Sequence, residues 1–555
     1  MSDYARPAVS EMAVVEVVPQ RWRDNVTGWL ERMGEHVNPI LVKETRQALK
    51  SRQFVLTFAL LLICCWAWSV LGLWMMGTEA AYGVKGPEML GGYYVILTFP
   101  LLIIVPFGAF RSLASEQEDH TYELLWITTL KPRQIVSGKL GSSLMQMLIY
   151  LSAISPCLAF TYMLRGVSLP TILFMLGYTF LASLGLSMIG LLVGTLSTEK
   201  HVQVLLSVLL ILGLFLAFYM ACVLAFEGPL SGEISFAEPW FWVACSSYLT
   251  VFASYFALVF TAAVARITFA SDNRSTPLRV VMLSQHVLLI GWIAWGCVSN
   301  PTQSYTPWLL ICLILAGLHW YVMGALMTGE SPELSLRVRR QLPRSFLGRV
   351  FLTWFNPGPG TGYLFAVSGS LAALVMVAVA VVIWQGILAA PNTSFGGVSI
   401  DSLLVFGALE TAYLTIYLGL GLLAIRLLRR LGQAGLMLGL LIQLLLVLLG
   451  CGAPMLIDTL SNSMGRMEYS LLQMSNPFWT LGKVADTSTL PVETPVLLVL
   501  LPIVALVVLG MNLPGIIREL RHVRIAKPLR VAEEDAELAA RFAPAQTTKL
   551  SPWDD

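Results

Sequence analysis

"EQEDHTYELLWITTLKPRQIVSGK", residues 116–139, is a charged stretch set between two apolar runs, 91–110 and 141–163. Each run meets the length of about 20 mostly apolar residues that a membrane span requires. The stretch opens acidic at Glu116, Glu118, Asp119 and Glu123, turns apolar at Leu124, Leu125, Trp126 and Ile127, and closes basic at Arg133 and Lys139. Pro132 suits the first turn of a helix and not its interior, so the segment reads as helix, break, helix. Leu, Trp and Ile exposed beside a membrane imply a cover, either the bilayer surface or a docked protein.

Outward from this stretch the chain holds ten more apolar runs. The twelve expected spans are about 54–76, 91–110, 141–163, 170–196, 202–226, 241–265, 280–299, 307–327, 364–390, 403–426, 434–457 and 496–513. The predicted class is an all-α polytopic membrane protein. Composition agrees: the 555 residues are 56% hydrophobic and 12% charged, with a mean hydropathy of +0.73, where a soluble domain carries about a quarter charged residues. Residues 1–53 mix acids, bases and prolines without a short apolar core, so no signal peptide is expected and the chain is expected to start in the cytoplasm. With the N-terminus inside, the inner segments hold 8, 4, 1, 3, 5, 3 and 7 Lys or Arg, which is 31 of the 35. Only Lys85, Arg165, Arg466 and Lys483 fall elsewhere. A miscounted span would break this positive-inside bias, and it places both termini in the cytoplasm.

"NPILVKETRQALKSRQF" (38–54) precedes the first span. Asn38 followed by Pro39 reads as a helix start. Ile40, Leu41, Thr45, Ala48 and Leu49 share one face, while Lys43, Arg46 and Lys50 point away. The pattern predicts a helix lying in the inner interface, apolar side on the membrane and basic side towards anionic head groups.

The residues of the opening stretch carry a resemblance. Glu116, Glu118, Thr121, Glu123, Leu124, Leu125, Thr128, Pro132, Ile135, Val136, Gly138 and Lys139 resemble, in type, spacing and topological place, the loop between the second and third spans of type-2 ABC exporter permeases. "NPILVKETRQ" is similar to that family's interfacial elbow helix. His120 stands where the family often has glycine, Thr129 where the turn has proline, and Lys131 where a small N-capping residue is frequent. The resemblance implies that Glu116, Glu118, Thr121, Glu123, Leu124, Leu125, Trp126, Thr128, Pro132 and Arg133 form a coupling loop that docks a separate ATPase subunit, a dimer of cassettes. ATP and Mg would then be bound by that partner, and this chain would have no cofactor and no catalytic residue. Other expected partners are the lipid bilayer and a second permease copy, with no nucleic acid; the expected location is a bacterial cytoplasmic membrane. The expected organisation is a segment 1–53 with the elbow helix, a six-span unit 54–270 with coupling loop 111–140, a second six-span unit 271–515 that is either a diverged repeat of the first or a chance likeness between apolar helices, and a tail 516–555. The alternative is an ion-coupled secondary transporter, which commonly also has twelve spans and needs ionisable residues near the midplane.

Motifs for other chemistry are missing. No stretch matches GxxxxGK[ST], and both Gly-Lys pairs, 138–139 and 482–483, lack the Ser or Thr. "NPGPGTGYLF" (356–365) is glycine-rich but has no lysine to reach a phosphate, and reads as a turn entering the ninth span. HExxH is absent. The eight cysteines lie in or beside apolar runs, which suits small buried hydrophobes. Within the spans, Glu410 and Gln443 are candidates for a translocation path, because an intramembrane polar group is costly and faces the protein interior. Gln146, Gln285 and His286 are milder cases, and an interhelical hydrogen bond explains such residues equally well.

Overall fold

The computed structural model describes residues 38–77, 83–118, 130–196, 199–232, 234–269, 271–299, 305–343, 345–384, 399–431, 436–461, 469–486, 492–521, 524–525 and 528–542. Among these the chain is helical throughout, and twelve helices are long and apolar enough to cross a membrane. The protein is an all-α polytopic membrane protein. Contacts divide it into two compact units, Met1–Ser235 and Phe236–Asp555. The division places the sixth span with the second unit, whereas the sequence reading groups it with the first.

The first unit starts with a short helix, α1 (Pro39–Lys50), followed by five spans: α2 (Arg52–Met76), α3 (Gly86–Glu118), α4 (Pro132–Met163), α5 (Leu169–Gly194) and α6 (Lys200–Glu227). The helices outrun the apolar runs because their polar ends stay helical beyond the lipid-facing core. The third span, for example, is expected from 141 and begins at Pro132. The second span is central and packs against α4, α5 and α6. Its approach to α5 is close because Gly190 and Gly194 lack side chains: a Cβ would lie 2.6 Å from the Pro106 carbonyl oxygen and 2.9 Å from that of Phe110. Small residues drive such packing where lipid removes the hydrophobic incentive.

Pro100, Pro106 and Pro156 lie inside these helices, and at the first and last of them a serine serves the disturbed backbone. Pro100 opens a π-helical turn, Pro100–Ile104, and the Ser183 hydroxyl of α5 donates to the Leu101 carbonyl at 2.5 Å. Pro156 has no N–H for the Ser152 carbonyl, which instead accepts from the Ser155 hydroxyl at 2.9 Å. A spanning helix tolerates proline on such terms. The core hydroxyls pair as well, Tyr150 with Thr57 at 2.6 Å and Tyr94 with Thr179 at 2.9 Å.

The second unit holds seven spans: α7 (Pro239–Ile267), α8 (Ser275–Ser299), α9 (Thr306–Thr328), α12 (Pro359–Val382), α13 (Ile400–Leu431), α14 (Leu436–Ser461) and α16 (Thr494–Leu520). Short helices α10 (Leu336–Gln341) and α11 (Phe346–Leu352) lie between α9 and α12, and α15 (Pro477–Asp486) precedes α16. A last helix, α17 (Leu529–Phe542), is exposed along its described side chains. The α7 span joins this unit because it packs along α8, and the turn between them is closed by Arg274 donating to the Thr268 and Phe269 carbonyls. At the centre α9 packs on α12 and α13, and α13 on α16. The Tyr413 and Tyr417 hydroxyls donate to the carbonyls of Met474 and Ser475, at 2.6 and 2.5 Å, and so tie the segment before α15 to α13.

Candidate functional site

Glu116 and Lys139, the two ends of the quoted stretch, meet each other. Asn38 caps α1, its side chain accepting from the Ile40 N–H at 3.1 Å, with Pro39 in the first turn. The expected faces are present: Ile40 is buried, while Lys43, Arg46 and Lys50 are exposed. Part of the apolar face meets the protein itself: Ile40 lies on Gly138 and Leu41 on Gly141 of α4, while Thr45, Ala48 and Leu49 stay half-buried. A hydrophobic pattern specifies which face is covered but not by what. The two glycines make the contact possible, since a Cβ on Gly138 would come within 2.8 Å of Ile40. Asn38 also reaches α4, donating to the Gln134 carbonyl at 2.5 Å.

The start of α4 is firmer than Lys131 in the capping place suggests. Pro132 occupies the first turn, and the Gln134 side chain reaches back to accept from the Lys131 N–H at 2.9 Å. This is the reciprocal half of a capping box. Two turns on, Lys139 is only 3% exposed. Its Nζ donates to Glu116 Oε1 at 2.9 Å, to Glu44 Oε1 at 3.2 Å and to the Ser112 carbonyl at 3.0 Å. One buried ammonium therefore joins α1, the end of α3 and the start of α4, and closes the neck of the segment. Of the other expected coupling residues, Glu118 and Arg133 are exposed and Pro132 half-buried. Thr121, Glu123, Leu124, Leu125, Trp126 and Thr128 lie outside the described residues.

The second unit has a buried charge cluster of its own at helix ends, which the sequence reading did not find. Arg279, at the start of α8, is fully buried. It donates to Glu330 Oε2 at 2.7 Å, the Trp354 carbonyl at 2.7 Å, the Gly358 carbonyl at 3.0 Å and Thr361 Oγ1 at 3.1 Å. The glycine-rich stretch does form a helix entry, as expected. Its free N–H groups receive an anion from within the chain: Glu519, near the end of α16, accepts from the Gly360 N–H at 2.9 Å and the Thr361 N–H at 3.1 Å. A helix N-terminus favours this charge. A Cβ on Gly360 would stand 2.9 Å from the carboxylate, so glycine is what admits it. Arg429 of α13 donates to the carbonyls of Gly329 and Glu330, and Arg426 to Asn512 Oδ1 at 3.0 Å. The available signal was a lysine-free glycine loop together with acids and arginines at span ends, but the partners are far apart in sequence.

The two path candidates do not meet. Glu410 is half-buried and packs over Gly317 of α9, where any Cβ would collide with its carboxylate. Gln443 is buried beside Gly421, its Oε1 accepting from the Tyr321 hydroxyl at 3.3 Å. Glu410 and Gly421 are eleven residues apart on α13, which is about 16 Å of helix rise. Gln443 therefore makes an interhelical bond. His286 and His319 join α8 to α9, His286 Nδ1 accepting from the Trp320 indole at 3.2 Å and His319 Nε2 lying 3.1 Å from the Met282 carbonyl oxygen.

No family model, curated protein or solved structure matches this chain. The reading of its function rests on its own residues.

Proposed function

We propose that this polytopic membrane protein is the membrane-spanning permease subunit of a type-2 ABC exporter, working with a separate ATPase subunit. The observation that carries the reading is the Lys139 junction. The acid and the lysine of the motif-like stretch meet each other and the elbow-like helix in one buried contact. A docking segment between Glu116 and Lys139 could not move at its neck without moving α1, α3 and α4 together. That is what a coupling loop requires: force applied by a soluble subunit must reach several spans as one body. On this reading the cytoplasmic side is the side of the Lys139 junction, and the Arg279–Glu330 cluster gives the second unit a similar fixed end. The substrate is translocated by the spans, and ATP is hydrolysed on the partner chain.

A second reading, an ion-coupled secondary transporter, is favoured by one observation. His286, His319 and Glu410 all lie within spans of the second unit, so Glu410 is not the lone ionisable group there.

A pull-down with a purified cassette dimer separates the two. If Leu125 and Trp126 anchor the partner, the double substitution Leu125→Ala/Trp126→Ala lowers association by at least about 2 kcal/mol, the scale of a buried aromatic anchor, without unfolding the spans. Undiminished binding by the double variant refutes the docking role, and transport driven by an ion gradient without any ATPase establishes the second reading.

A further inference from the structure

The face of α1 turned away from α4 carries Lys43, Arg46 and Lys50, all exposed, and Arg52 opens α2 just past the Ser51 corner. Spacings of three and four residues put the first three cations on one side of the helix. None of them pairs with an acid among the described residues, and Glu44, the acid of α1, is held by Lys139. The same face forms an open trough of about 510 Å³ lined by Pro39, Val42, Lys43, Arg46, Gln47 and Lys50. Next along the chain α2 exposes Val55, Leu56, Leu60 and Ile63, apolar side chains suited to acyl chains. The corner between the two helices is fixed by one side chain: Ser51 Oγ accepts from the Phe54 N–H at 3.1 Å and donates to the Ala48 carbonyl at 2.7 Å.

We infer that this trough binds the phosphate of an anionic phospholipid. On the other side of α1, Ile40 and Leu41 are taken up by α4, which leaves the basic face open. Its remaining face offers a planar guanidinium flanked by two ammonium groups, which matches the non-bridging oxygens of a phosphodiester. The chain's first 37 residues, which contain acids, are the competing occupant. The lipid is favoured because the cations sit at the head of an exposed apolar span, where head group and tails are found together. This inference stands independently of the transport reading.

The test titrates the full chain in neutral detergent with phosphatidylglycerol or phosphatidylcholine of identical acyl chains and counts bound lipid by native mass spectrometry at two salt concentrations. The expected result is a preference for phosphatidylglycerol of about tenfold, weakened by salt, since each basic group near an anionic surface contributes modestly and is screened. The variant Lys43→Gln/Arg46→Gln/Lys50→Gln should bind both lipids alike. It should keep the wild-type melting temperature, because Lys139 and the α1–α4 contact are untouched. A variant that keeps the preference, or a wild-type protein that has none, overturns the inference. So does a preference that emerges only when residues 1–37 are removed, which would assign the trough to the chain's own N-terminal segment.

Discussion

Replacing Lys139 with methionine keeps the length of the side chain and removes its charge. The cluster as built holds one ammonium and two carboxylates, at 2.9 and 3.2 Å. Lys139→Met leaves Glu44 and Glu116 facing each other with no cation between them. Removing one partner of a buried pair costs about 3–5 kcal/mol. The two acid side chains keep 12% and 18% of their exposure, so water reaches them and the lower figure, about 3 kcal/mol, applies. At about 2–4 °C per kcal/mol for a body of this size, the melting temperature should fall by about 6–12 °C. The single neutralisations Glu44→Gln and Glu116→Gln leave a balanced pair and should each cost about 1 kcal/mol. The triple variant Lys139→Met/Glu44→Gln/Glu116→Gln contains no charge and should recover most of the loss, because a buried ion set replaced by neutral groups of similar shape is often tolerated. A thiol-reactive fluorogenic dye reads the transition through buried free cysteines such as Cys65, with all variants compared at one heating rate because such melting is irreversible. Lys139→Met melting with the wild type, or a triple variant no better than Lys139→Met, would refute the reasoning.

Glu519→Gln can keep one oxygen on the Gly360 and Thr361 N–H donors, but it sets an amide N–H₂ in the place of Oε1 against the Gly360 N–H and removes the charge, and should cost about 1–3 kcal/mol; Gly360→Ala displaces the same carboxylate, so the two losses should fall well short of adding in the double variant, and strict additivity of the melting shifts counts against the contact. Gly317→Ala should destabilise by about 1–3 kcal/mol through its collision with Glu410, and Glu410→Ala should relieve that loss when combined with it. A double variant as unstable as Gly317→Ala alone would show that Glu410 is not what fills the space, and altered transport by Glu410→Gln at unchanged stability would mark a role on the path.

The spans were legible because a membrane imposes a simple rule: apolar runs of sufficient length with basic residues biased to one side. Each of the twelve expected runs overlaps a long apolar helix, with residues 385–390 of the ninth and 434–435 of the eleventh lying outside the described residues. The parts that rest on helix chemistry were also legible, such as the Asn38 cap and the Pro132 start. What the sequence hid is pairing over distance. Glu44 and Lys139 are 95 residues apart, and Gly360 and Glu519 are 159 apart. In one dimension Lys139 is another lysine near a span end and Glu519 another acid near one; burial distinguishes them only after the spans have packed. The apolar face of α1 shows the same limit, since its pattern suits α4 and lipid equally. The glycine-rich stretch shows it in another form. The missing lysine argued against a nucleotide loop, but it did not say that the helix entry would hold an anion from its own chain.

Each unit thus keeps a buried ion cluster at one end of its spans, and the reason for that placement is physical. Between helices in lipid there is no hydrophobic driving force to fix relative position, because lipid chains are as apolar as the side chains. Close packing at Gly190, Gly194 and Gly317 brings helices together but leaves sliding and tilting cheap. A charge with several partners on different helices is directional, and displacement leaves it unpaired in a medium of low dielectric. Lys139 does this for α1, α3 and α4, and Arg279 with Glu330 does it for the starts of α8 and α12 and the end of α9. On the proposed reading these are the places where force must enter. On that reading a push delivered between Glu116 and Lys139 would reach a contact shared by three helices. The cost of breaking the cluster, about 3 kcal/mol by the reasoning above, sets how much of a power stroke can pass through it before the neck itself gives way. Weakening Lys139 should therefore uncouple ATP hydrolysis from transport before it abolishes docking, which makes the Lys139 and Trp126 substitutions distinguishable in one ATPase assay in lipid.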